Sequence, residues 1–203
     1  MKVLITGFEP FDGEKINPAW EAVKLLPTQI GNAEIIKLEI PTVFKKSSDK
    51  LIENIKSLSP DVVICVGQAG GRYEFCLERV AINIDDGRIP DNSGYQPQEE
   101  PIDPNGPTAY FSTLPIKNIV KTLKKSMIPS VVSNTAGTYV CNHIMYSLLH
   151  YISQNNLKIK GGFIHVPYVP EQVLDKKNAP YMELNTIARA LEITILITIN
   201  DER

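Results

Sequence analysis

The chain has 203 residues, enough for one domain with a substantial core. Its 43% apolar and 22% charged residues are ordinary for a globular protein, and a formal net charge of -2 gives no electrostatic basis for a nucleic-acid or anionic-membrane partner. The opening MKVLITGFEPFDGE lacks the apolar run of a secretory signal or anchor, and three cysteines without CxxC or zinc spacing form no disulfide framework or metal site, so a cytoplasmic protein is expected.

Short apolar runs alternate with helical patterns along the whole chain. Lys2–Thr6 (KVLIT) reads as a buried strand, followed by the loop GFEPFDGEKI. Asn17-Pro18 opens a helix, with Asn17 as N-cap and Pro18 at the first helical position. Glu34–Ile40 alternates as a strand, and Val43–Leu58 is an amphipathic helix. Asp61–Gly67 (DVVICVG) is a second buried strand, and Phe75–Ile84 (FCLERVAINI) alternates as another. Asp85–Pro107 is rich in Pro, Gly, Asp and Asn, and a loop that long is often functional. Ile116–Ser126 is expected to be a helix, Ser130–Ser133 a strand and Tyr139–Gln154 a helix with Ile144, Met145, Leu148, Leu149 and Ile152 on one stripe. Gly162–Val166 is a further strand, and a last helix is expected from Pro180 toward Ile197. The alternation, without repeat or linker, predicts one α/β domain over residues 1–203: a twisted, mostly parallel sheet with helices on both faces.

Cys141 follows a strand and the small-residue loop NTAGT, then enters a helix. There, free backbone N–H groups point at the sulfur, and the helix dipole favours a thiolate. The alternative is a cysteine that only packs a core. A nucleophilic thiol needs a base, and there are three histidines. His143 is turned about 200° away on the same helix, and His150 lies more than two turns deeper. His165, at the end of a predicted strand, is the candidate by elimination, with a core histidine bonded to backbone as the alternative. Alternation puts Glu78 on one face with Cys76, Val80 and Ile82, and turns Arg79 away from it. A carboxylate in that row is costly unless paired, and an imidazole would satisfy it. An edge glutamate reaching solvent is an equally open reading.

The motifs GFEPFDGEKINPAWEAV, SNTAGTYVCN and GFIHVPYVPEQ, extended by GQAGGR, ERVAIN and GRIPDNSG, make this sequence similar to the pyroglutamyl peptidase I (pyrrolidone carboxyl peptidase) family. The resemblance covers nearly the whole chain and weakens after about Val173. It implies a cysteine exopeptidase that removes an N-terminal pyroglutamyl residue without metal or cofactor. It also implies a single α/β domain and a homotetramer. Carried over residue by residue, the family's triad falls on Glu78, Cys141 and His165. Phe8 and Phe11 would lie against the lactam ring, with Asn17, Thr42, Gln68, Ile89 and Val140 lining the pocket; Arg88, in GRIPDN, either adds positive charge nearby or is a surface arginine. Asp12-Gly13 departs from the Gly-Gly of many relatives.

A neutral lactam offers no charge for selection, so hydrogen bonds to its amide must discriminate it from proline. Two other readings compete: a binding module that keeps the pocket without turnover, and a phosphate-dependent transferase using GQAGGR as an anion cradle. The second rests on a lone Gly-rich turn, a weak signal.

Overall fold

In the computed structural model, which describes residues 1–201, nine strands and six helices alternate. Chain order is β1 (Lys2–Phe8), α1 (Pro18–Leu25), β2 (Gln29–Ile30), β3 (Ala33–Ile40), α2 (Lys46–Leu58), β4 (Val62–Gln68), β5 (Phe75–Glu78), β6 (Val80–Ile82) and β7 (Ala109–Phe111). Then come α3 (Ile116–Lys125), β8 (Ser130–Ser133), α4 (Val140–Gln154), β9 (Lys160–Val166), α5 (Pro170–Val173) and α6 (Leu184–Ile199). Seven strands form one sheet in the order β2-β3-β1-β4-β9-β5-β8. Its pairings are parallel except β2 with β3 and β5 with β9.

Strand alternation sorts the core into two layers. Val3, Ile5, Val62, Ile64 and Val66 point to the face covered by α1, α3 and α6. Leu4, Val63, Cys65 and Phe163 point to the other, covered by α2 and α4. With both faces buried, central strands read as continuous apolar runs. No helix among the described residues is long and apolar enough to cross a membrane.

Phe75–Ile84 is two strands, not one. The chain leaves the main sheet at Arg79, whose N–H still donates to Ser133 O at 2.9 Å, and β6 pairs with β7 in a separate antiparallel ribbon. A period of two persists across the break and hides it. Ala81 on the inner side is fully buried, and Asn142 of α4 clamps the ribbon, accepting from Ile82 N and donating to the Ile82 and Ile84 carbonyls. Two helices start later than their patterns suggest. Val43–Lys45 form a turn before α2, and α6 begins at Leu184 because Tyr181 bridges to Tyr168 and Met182 N donates to Tyr168 O. The β-branched end of α6 stays helical because Ile187, Leu191 and Ile195 are fully buried in the core.

Candidate active site

The carboxyl ends of β1, β4 and β9 lie side by side, and the segments leaving them form a cleft of about 260 Å³. Clefts beyond carboxyl strand ends are where open α/β sheets bind ligands. Cys141 and His165 line it, as do Phe8, Phe11, Asn17, Thr42, Gln68, Arg88, Ile89 and Val140. Asp12, Glu14, Ala136, Tyr139 and Tyr168 line it too, and sequence reasoning did not select them.

Register explains how three distant residues meet. His165 and Phe163 share a face of β9, and β5 runs antiparallel beside it with Glu78 opposite Phe163. Glu78 is therefore the diagonal neighbour of His165, within reach of a long side chain. His165 Nδ1 donates to Glu78 Oε1 at 2.7 Å. A carboxylate only accepts, so this bond puts the proton on Nδ1 and leaves Nε2 of a neutral ring as an acceptor. In the β4–β9 ladder His165 pairs with Gly67, and a Cβ on Gly67 would stand 2.9 Å from Cys141 Sγ. The sulfur thus rests against the bare backbone of the residue beside His165.

Cys141 is in the first turn of α4, whose N-cap Tyr139 supplies no side-chain bond. The first-turn N–H groups are left for a ligand. The surroundings of the sulfur act against the helix terminus. Burial pushes the Cys141 thiol up to about 12, and the Glu78 charge adds to this. Arg72 and the residue's own backbone N–H pull the other way.

Glu78 is fully buried and has a second partner that sequence reasoning missed: Arg72 Nη1 donates to the same Oε1 at 2.9 Å. Among the described ion pairs of Glu78, its sequence neighbour Arg79 does not appear. Arg72 arrives from the GQAGGR turn, in which Gly71 takes φ 88°. Cys76 is buried with its sulfhydryl donating to Glu74 O, and Cys65 is fully buried beneath α4.

The pocket's polar residues differ in what they have left to offer. Asn17 Oδ1 caps α1 through Ala19 N, and its amide donates to Glu9 O. The Thr42 hydroxyl also donates to Glu9 O. Both shape the wall with their polar atoms already engaged. Gln68 Oε1 accepts from Gln172 Nε2 at 3.0 Å, which leaves the amide nitrogen of this cleft residue uncommitted. Thr138 and Asp86 exchange two 2.8 Å bonds that tie the segment carrying Arg88 and Ile89 to the loop before Cys141. Asp12 takes φ 53°, a left-handed conformation that Asp tolerates, followed by Gly13 at φ 75°.

The other two histidines are engaged elsewhere. His150 contacts Tyr110 and Asp103. His143 lies between Asp85 (2.7 Å) and Ser48 (3.1 Å), an outline like a serine triad. The Ser48 hydroxyl, however, donates to Lys45 O inside the first turn of α2, and the cluster ties α2, α4 and the long loop together.

Comparisons with known proteins place the chain in a family. The family model for pyroglutamyl peptidase matches residues 1–201. The pyrrolidone-carboxylate peptidase of Brachyspira hyodysenteriae is 65% identical over 96% of this chain and 97% of its own. Pyrrolidone-carboxylate peptidase 1 of Caldanaerobacter subterraneus subsp. tengcongensis is 58% identical, over 98% of each. The crystal structure of Bacillus amyloliquefaciens pyroglutamyl peptidase I superposes with a TM-score of 0.96 at 52% identity, covering 99% of this chain and 98% of that one. A fold matched end to end, with a cysteine and a histidine in one cleft and a glutamate on that histidine, leaves one assignment: the chain belongs to the pyroglutamyl peptidase I family, cysteine peptidases that remove N-terminal pyroglutamate.

Proposed function

We propose that this chain cleaves the amide bond after an N-terminal pyroglutamyl residue, with Cys141 as nucleophile, His165 as acid–base and Glu78 as the group that orients His165. The observation carrying this reading is the 2.7 Å bond from His165 Nδ1 to Glu78, in a register that sets His165 beside the glycine against which Cys141 Sγ lies.

The thiol proton passes to His165 Nε2 as Sγ attacks the pyroglutamyl carbonyl carbon. The first-turn N–H groups of α4 receive the oxyanion, and Arg88 at the cleft adds positive charge. Collapse breaks the C–N bond, and His165 returns the proton to the departing amine. His165 then takes a proton from water, whose oxygen attacks the thioester and releases pyroglutamate and the thiol. Glu78 holds the imidazolium in place throughout. Phe8, Phe11, Ile89 and Val140 supply apolar wall for the ring, and Gln68 Nε2 donates to the lactam carbonyl. Proline leaves that donor unpaired, a penalty larger than a lost methylene contact.

The test is release of a fluorogenic amine from pyroglutamyl and prolyl amides by wild type and Cys141→Ser. Pyroglutamyl-selective turnover is expected, reduced by at least about 10³-fold in the variant, more than general acid–base loss alone often costs. Retained turnover in Cys141→Ser would sink the thiol mechanism. No wild-type turnover in a reduced, folded sample would leave a binding module.

A thiol that must stay reduced supports a cytoplasmic setting. A homotetramer is supported by the outer face of the β6–β7 ribbon, where Ile82 and the 69% exposed Phe111 lie on one side. Sedimentation equilibrium at micromolar concentration is expected to give four times the chain mass, and a monomer would refute the assembly.

A further inference from the structure

We propose that Arg72 is a positioning residue of this active site: by sharing Glu78 Oε1 with His165, it fixes the buried carboxylate against the imidazole and offsets part of its charge at Cys141. The proposal rests on the triad reading above and assigns a role to a residue outside it.

Glu78 sits in the fold with no exposure, where an ionised carboxylate is costly without a counter-charge. Among the described residues, Arg72 is the only lysine or arginine paired with it. An arginine recruited only to neutralise a carboxylate would normally grip both oxygens as a fork. Here Arg72 and His165 converge on Oε1 at 2.9 and 2.7 Å, while buried Oε2 has no partner. Two donors on one atom fix each other's approach, so a shift of the guanidinium is transmitted to the imidazole.

Arg72 is held in turn. Its N–H donates to Ala69 O at 3.4 Å, Nη1 also donates to Ser133 Oγ at 3.3 Å, and Nη2 donates to Thr135 O at 3.4 Å. It therefore bridges the turn after β4, the end of β5 and the loop that leads into Cys141.

The charges have opposite effects at the two reacting groups. Glu78 favours the imidazolium that forms when His165 takes the thiol proton, but the same negative charge disfavours an ionising sulfur. Arg72 opposes part of the second effect while leaving the first bond intact. The directions at the sulfur agree: Glu78 raises the Cys141 thiol, after burial, and Arg72 lowers it. Without Arg72, proton transfer would begin beside an uncompensated carboxylate.

Iodoacetamide alkylation of Cys141, followed against pH by mass spectrometry, and steady-state turnover of a pyroglutamyl amide test the proposal in wild type, Arg72→Lys and Arg72→Met. In Arg72→Met the alkylation curve, read on its rising limb between about pH 7 and 9 where the fold is stable, is expected to lie about tenfold lower, with kcat down by about 10²-fold and KM changed less than about threefold. Arg72→Lys keeps the charge without the fork and is expected to restore most of the alkylation curve but only part of kcat. Melting curves report folding, and Arg72→Gln replaces Arg72→Met if the latter does not fold. A folded charge-removing variant with an unmoved alkylation curve overturns the proposal, as does equal loss of kcat in Arg72→Lys and Arg72→Met without that shift. Alkylation needs no substrate, so absent wild-type turnover would defeat the functional reading while the curve still judged Arg72.

Discussion

At the residue scale, Gly67 shows how tightly the reacting groups are set. A Cβ there would lie 2.8 Å from Phe163 Cζ and 2.9 Å from Cys141 Sγ. Phe163 is fully buried and cannot swing away, whereas Cys141 borders the cleft, so the sulfur is the atom that moves. Gly67→Ala is expected to lower kcat by about 10²-fold, the scale of a misplacement near 1 Å. The stability cost should be about 1–3 kcal/mol, as for other overpacked sites. Steady-state kinetics beside calorimetric melting separates the two effects. Wild-type kcat in a folded Gly67→Ala protein would mean that the sulfur reacts from another position.

At the element scale, the sequence carried the layered architecture because each central strand is a short apolar run bounded by turn residues. Asn17-Pro18 marked α1 through local chemistry, and the stripe from Ile144 to Ile152 marked α4. The split of Phe75–Ile84 was invisible because both halves keep the same period, and only burial of Ala81 against α4 distinguishes the ribbon from the sheet. The start of α6 was set by contacts between Tyr168 and Tyr181, which no propensity reports. The candidate site follows the same division. His165 emerged by elimination among three histidines, and Glu78 from the cost of a carboxylate in an apolar row. Arg72 did not emerge, because a Gly-rich turn, not a periodic element, returns it toward β5. The engagement of Asn17 and Thr42 with Glu9 likewise depends on the path of the loop after β1.

At the scale of the whole molecule, closing both faces of the sheet makes folding sensitive to alkaline pH. Cys65 lies on the α4 face of β4 with no exposure, and burial pushes its thiol up to about 12. Cys141, above the same face, is also pushed up to about 12. A thiol whose folded pKa lies above its unfolded value of 9.0 keeps its full contribution to stability below that value. As pH rises further, the unfolded chain releases the proton and the folded one does not, so stability falls until the folded pKa is reached. Between pH 9 and 10 each thiol is expected to remove about 1 kcal/mol from the unfolding free energy. Tyr95, Tyr139 and Tyr146, also raised to about 12 from 10.0, add to the loss chiefly above this window. Urea unfolding of reduced protein across the window should therefore show a loss about 1 kcal/mol smaller in Cys65→Ala than in wild type. Equal losses in the two proteins would mean that Cys65 ionises in place, and that this face of the sheet is open to water.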